Sequence, residues 1–123
     1  GDGALALKVK PMSGSIDQAG GLVFGLRAPG TYWVLRINAL EDNAVLFAFV
    51  DNKRVERARA DLPITRGQWY TLEVVITADT AACRVNGVTL FEHRAASSYQ
   101  GHVGLWTKAD SVTLFTALTI ENS

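Results

Sequence analysis

Trp69-Tyr70-Thr71-Leu72-Glu73-Val74-Val75-Ile76-Thr77, followed by Ala82-Cys83-Arg84-Val85-Asn86-Gly87-Val88-Thr89-Leu90-Phe91, carries two signals of one fold class. The first run alternates Trp69, Thr71, Glu73 and Val75 with Tyr70, Leu72, Val74 and Ile76. Side chains of a strand point to opposite faces in turn, so the second set forms the predicted core face. The second run is interrupted by Asn86-Gly87, the residue pair that best tolerates the two positive φ angles of a type I′ turn. It therefore reads as two short strands of a hairpin. Cys83, between Ala81 and Val85 on one strand face, is expected to pack as a small apolar group.

The same period-two pattern extends in both directions. Upstream, Ala4 to Lys10 sets Leu5, Leu7 and Val9 against Ala6, Lys8 and Lys10, and Pro11 is expected to end that strand. After a polar loop, Leu22, Phe24 and Leu26 alternate with Val23, Gly25 and Arg27. Ala28-Pro29-Gly30-Thr31 then fits a type II turn, with glycine at the position of positive φ. Tyr32 to Asn38 places Trp33, Leu35 and Ile37 on one face and Tyr32, Val34, Arg36 and Asn38 on the other. Ala44 to Asp51 is an apolar strand, and the charged stretch Arg54 to Arg59 reads as an exposed edge. Downstream come His102 to Thr107 and Val112 to Ile120. No window of eleven or more residues keeps a helical apolar repeat. About ten short strands, spaced about 8 to 12 residues apart, predict an all-β antiparallel sandwich or barrel.

Composition bounds what such a domain does. The chain has 123 residues, twelve Lys plus Arg and twelve Asp plus Glu, so its formal charge is zero. No global field gathers nucleic acid or an anionic membrane surface, and neither is an expected partner. Hydrophobic residues at 48% and charged residues at 20% describe a globular chain long enough for one core, hence a single domain over residues 1–123. The longest apolar run, Ala44 to Val50, falls far short of the roughly 20 residues of a spanning helix. Gly1-Asp2-Gly3 lacks the basic and apolar regions of a secretory signal. Cys83 is the one cysteine, which excludes an internal disulfide.

Three segments carry a family resemblance: Asp17-Gln18-Ala19-Gly20-Gly21-Leu22-Val23-Phe24, Gly67-Gln68-Trp69-Tyr70-Thr71-Leu72, and Gly101-His102-Val103-Gly104-Leu105-Trp106-Thr107-Lys108-Ala109-Asp110-Ser111-Val112. They resemble the concanavalin A-like lectin/glucanase superfamily. Within it they are most similar to the bacterial domains of unknown function grouped with 3-keto-disaccharide hydrolases and family-16-like proteins. The resemblance implies a jelly-roll β-sandwich with one concave sheet and a secreted or periplasmic setting. It also implies upstream strands that this chain lacks. An edge would then be left open, and Ala4 to Lys10 is the expected open edge, through which copies would associate weakly.

The residues give less support to catalysis. Retaining glucanases of this superfamily carry Glu-x-Asp-x-(x)-Glu, since the two carboxyl groups must stand about 5 Å apart. That spacing is absent. Glu41 and Asp42 are neighbours in a hairpin loop and read as solvated carboxylates, while Glu73, Glu92 and Glu121 stand singly. His93 and His102 have no companion at metal-ligand spacing and are expected in surface or packing roles. No serine lies in a Gly-x-Ser-x-Gly elbow. Gly20-Gly21 and Gly25 suit close strand packing better than a phosphate cradle. No cofactor is expected, and Asp2, Asp17 and Asp110, the oxygen donors nearest to a structural calcium site, read better as turn residues.

What remains is the mixed face of Tyr32, Arg36 and Asn38, joined across the sheet by His102 and Trp106. Aromatic rings that stack on sugars, with a few fixed hydrogen bonds, are what carbohydrate recognition uses. The competing reading makes Tyr32 and Trp106 core residues. The leading expectation is a non-catalytic carbohydrate-binding or interaction module with its ligand on the concave sheet. The alternatives are a glycoside hydrolase of the 3-keto-disaccharide type and an accessory domain that self-associates.

Overall fold

The computed structural model describes the backbone of residues 3–13, 19–28, 30–77, 79–94, 102–107 and 112–122, and the side chains of residues 3–12, 20–26, 28, 30–77 and 79–94. Ten strands occur among the described residues: β1 (Gly3–Ser13), β2 (Ala19–Ala28), β3 (Thr31–Asn38), β4 (Asn43–Val50), β5 (Lys53–Asp61), β6 (Tyr70–Thr77), β7 (Thr80–Val85), β8 (Val88–Arg94), β9 (His102–Thr107) and β10 (Val112–Asn122). They form two five-stranded antiparallel sheets, ordered β10-β1-β6-β7-β8 and β5-β4-β3-β2-β9.

The two sheets bury one face each against the other. Leu5, Leu7, Val9, Tyr70, Leu72, Val74, Ala81, Cys83 and Val85 come from the first sheet. Leu22, Phe24, Trp33, Leu35, Ile37, Ala44, Leu46 and Ala48 come from the second. These are the period-two positions of the sequence, as burial of one face of an antiparallel sheet requires. At the junction the Trp33 ring stacks on Phe24 with centroids 6.3 Å apart and meets the tilted ring of His93 at 5.2 Å. His93 thus has a packing role, and burial, with the nearby Arg57 charge, pushes its pKa below the ordinary value.

Asn86 and Gly87 have φ angles of 51° and 80°, the two positive values that the β7–β8 turn needs. The turn is also tied to β6, because Asn86 Oδ1 accepts from the Thr71 amide at 2.9 Å and the Asn86 amide donates to Thr71 O at 2.9 Å.

Two expectations about β1 are corrected. It is not an edge: it pairs with β6 on one side and with β10 on the other. Lys8 and Lys10 project from the solvent face of the sheet, and face charge is compatible with a central strand, whereas an edge is defined by unpaired backbone groups. Nor does Pro11 end the strand. Pairing with β6 stops at Val9, beyond which β1 has only β10 as a neighbour, so a residue without an N–H is tolerated beside the register shift between Pro11 and Ser13. β5, by contrast, is the charged edge that the sequence predicts.

Candidate functional site

The β3–β4 hairpin builds a polar cluster on the outer face of the second sheet. Asn38 faces Asn43, Arg36 faces Val45, Val34 faces Phe47 and Tyr32 faces Phe49. Strand alternation sends all eight side chains to the face opposite the core. Asn38 closes the hairpin: its Oδ1 accepts from the amides of Leu40 at 2.9 Å and Glu41 at 3.2 Å, the local turn that asparagine side chains favour. Its Nδ2 donates to Glu41 Oε2 at 3.1 Å. The same carboxylate oxygen lies 3.1 Å from Arg36 Nη1, while Arg36 Nη2 donates to Asn43 Oδ1 at 2.9 Å.

Among the described residues, Arg36, Asn38 and Asn43 are the buried polar ones, whereas the Glu41 side chain keeps 51% of its surface exposed. The exposed member of the cluster is thus the Glu41 carboxylate, which the buried guanidinium and the Asn38 amide hold in a fixed orientation.

Aromatic surface adjoins this cluster. The Tyr32 and Phe49 rings stack at 4.6 Å with an interplanar angle of 12°, and both are half-buried. The Phe47 ring is approached by two guanidinium groups, Arg36 at 5.2 Å and Arg54 at 4.7 Å. β5 completes the face: Arg59 stands opposite Val45, Glu56 opposite Phe47 and Arg54 opposite Phe49, with a register shift between Leu46 and Phe47. Arg59 Nε donates to Glu56 Oε1 at 3.1 Å. That hydrogen bond holds the Glu56 carboxyl below its ordinary value and raises the Arg59 guanidinium.

On the other flank, β2 places Gly21 opposite Arg36, and β9 places Trp106 opposite Gly21. A Cβ at Gly21 would lie 2.8 Å from Leu35 O and 3.0 Å from Val34 Cγ1, so glycine there permits a close approach to β3. The backbone thus runs in a row from Trp106 through Gly21 to Arg36.

Of the residues singled out from sequence, Tyr32, Arg36 and Asn38 share one face as expected, with Arg36 and Asn38 buried rather than open. His102 and Trp106 lie on β9, at the register positions of Leu26 and Gly21, and their side chains lie outside the described residues. Glu41 and Asp42 are exposed in the hairpin loop, as solvated carboxylates would be, and each also holds partners within the protein. Glu41 binds Arg36 and Asn38, and Asp42 accepts from the Leu62 amide through its carbonyl and from the Ile64 amide through Oδ1, each at 3.0 Å. A turn lets adjacent residues reach back to different strands, which strand alternation does not describe. The available signal was the spacing Arg36-x-Asn38-x-x-Glu41-x-Asn43 around one hairpin. Phe47, Arg54, Glu56 and Arg59 were also missed.

Among the described residues no three His, Cys, Asp or Glu side chains converge as a metal site would require. Asp2, Asp17 and Asp110 lie outside the described residues.

No protein-family model and no curated protein sequence matches the chain. Solved structures do. The carbohydrate-binding module CBM66 from Bacillus subtilis superposes with a TM-score of 0.87 at 19% identity, over 98% of this chain and 75% of that one. A sheep galectin-11 complex with glycerol gives 0.73 at 10% identity, over 97% and 89%. A Caenorhabditis elegans galectin gives 0.64 at 16%, over 98% and 80%. The chain therefore shares the antiparallel jelly-roll sandwich fold of these structures.

Proposed function

We propose that the chain is a non-catalytic carbohydrate-binding module, a single domain that takes its ligand on the outer face of the β5-β4-β3-β2-β9 sheet. The observation that carries this is the Glu41–Arg36–Asn43 network beside the Tyr32–Phe49 stack. A sugar offers hydroxyl groups to such a network and an apolar ring face to such a stack. The names of the similar structures, a carbohydrate-binding module and galectins, agree with this reading.

The acids on this face favour binding over cleavage. Glycoside hydrolysis needs one carboxyl group held protonated and a second free carboxylate facing it, about 5 Å away in retaining enzymes and about 6.5–9.5 Å in inverting ones. Glu41 is engaged by Arg36 and Asn38, and Arg59 keeps Glu56 an anion.

A glycan array with a parallel mass-spectrometric check for cleavage tests the proposal. Binding without product release is the expected result. Trp106→Ala, at the register position beyond Gly21, is expected to weaken binding by about 1–3 kcal/mol in a variant shown to remain folded. Unchanged affinity would move the ligand elsewhere. Turnover of the bound glycan would return the hydrolase reading, and self-association without glycan binding would favour an accessory domain.

A further inference from the structure

The opposite side of the molecule carries a second cluster of aromatic and charged groups that the proposed site does not use. Trp69 leads into β6 with 43% of its surface exposed. Tyr70, Leu72 and Val74 point into the core, so Trp69 belongs to the solvent face of the first sheet. On β1, Leu7, Val9 and Pro11 are buried, which turns Lys8, Lys10 and Met12 to the same outer face. The register pairs Lys8 with Thr71 and Val9 with Tyr70, and so brings Lys10 beside Trp69. Lys10 Nζ lies 5.6 Å from the indole centroid. The exposed Arg66 stands at the same corner, because the Gly67 amide donates to Pro11 O at 2.8 Å.

Charge separates this cluster from an ordinary exposed tryptophan. The ion pairs among the described residues use Arg36, Arg59, Arg84 and Arg94, and none uses Lys8, Lys10 or Arg66. Glu73, the acid of β6 on this face, is taken by Arg84 at 3.5 Å. Lys10 therefore rests on an indole in place of a carboxylate. A cation–π contact at an exposed site is weaker than a charge-assisted hydrogen bond, so an incoming anion would draw the ammonium from the ring and free the ring to stack.

We infer that Trp69, Lys10 and Arg66 form a second binding surface, on the sheet opposite the proposed site, for a chain of acidic sugars. The apolar face of each sugar ring suits the indole, and its carboxylate suits the cations. An open sheet face accommodates a polymer better than a small molecule, which needs an enclosing pocket. Nucleic acid is the less favoured polyanion, because a molecule of zero net charge with three clustered cations neutralises few phosphates.

Titration calorimetry of the full chain with polygalacturonate at low ionic strength is the test, with tryptophan fluorescence followed in parallel. Binding with a fluorescence change is expected. Trp69→Ala and Lys10→Gln are each expected to weaken it about tenfold, consistent with losing one stacking or charge contact. Lys10→Gln alters an exposed side chain and serves where Trp69→Ala folds poorly. Neutral-glycan binding at the other sheet should be unchanged in both, so the two surfaces succeed or fail separately. Absence of polygalacturonate binding would overturn the inference. So would affinity indifferent to both substitutions, or binding of polyphosphate or single-stranded oligonucleotide as tight as that of polygalacturonate.

Discussion

Arg36 is the residue on which the outer-face cluster depends, because its buried guanidinium has its anionic partner in Glu41. Pairs such as Arg94 with Asp79 are exposed on both sides and contribute little in water. Removing one member of a buried pair costs several kcal/mol, because the other charge stays desolvated. Glu41 is half-exposed and lies between these limits. Glu41→Ala is therefore expected to lower unfolding stability by about 1–3 kcal/mol, read as a shift of the urea midpoint. A loss no larger than that of Asp79→Ala would show that solvent already screens Arg36. Cys83 gives a second test at this scale. Burial pushes its thiol up to about 12 from an ordinary value of 9.0, so reagents that need the thiolate should label it slowly until denaturant opens the core. Above pH 9 the unfolded chain releases this proton while the native chain keeps it, so the contribution of Cys83 to stability falls as pH rises towards 12. The stability gap between wild type and Cys83→Ala should narrow between about pH 8 and pH 10.5. A gap independent of pH would contradict the assignment.

The β6–β7–β8 meander and the β3–β4 hairpin differ in how much their sequences disclose. Tyr70, Leu72, Val74, Ala81, Cys83 and Val85 are inward-facing by alternation alone, and Asn86-Gly87 announces its own turn. The face of β3 was equally plain, since a strand has only two sides. The partners across that face were not, because Glu41 reaches Arg36 through turn geometry and Arg54, opposite Phe49, reaches Phe47 along a diagonal. Neither contact has a local periodicity. The close approach of β2 to β3 at Gly21 makes an element-scale test. Gly21→Ala would put a methyl carbon against the carbonyl oxygen of Leu35, part of a backbone held by its own ladder, so the strain has no flexible outlet. A loss of about 1–3 kcal/mol is expected, the range for overpacking, with weaker glycan binding because the row from Trp106 to Arg36 is disturbed. A thermal melt and an affinity measurement on the same sample check both. Unchanged stability would mean that β2 and β3 separate more easily than their register implies.

Across the whole molecule, strand order decides which backbone is open to a second chain, and strand order was the part least visible in the sequence. The neighbours of β1 lie about sixty and about one hundred residues away at Val9, which pairs with Tyr70 and with Phe115, and no local pattern encodes such pairings. In the structure β5, β8, β9 and β10 end the two sheets. β5 is the edge with the most evident protection: Lys53, Arg54, Glu56, Arg57 and Arg59 crowd its nine residues, and its register with β4 shifts between Leu46 and Phe47. Charged side chains and irregular register both oppose strand-to-strand association, because the incoming strand must desolvate like charges and match a bent ladder. An antiparallel encounter of two β5 edges would set this basic stretch against a copy of itself. Replacing Arg54, Arg57 and Arg59 together by Thr, a residue suited to strands, should remove the repulsion while keeping the strand. Sedimentation equilibrium is expected to show concentration-dependent association of the triple variant beyond that of the wild type, and added salt should reduce the difference by screening the wild-type charges. If the triple variant associates no more than the wild type, the charges on β5 are not what keeps that edge closed.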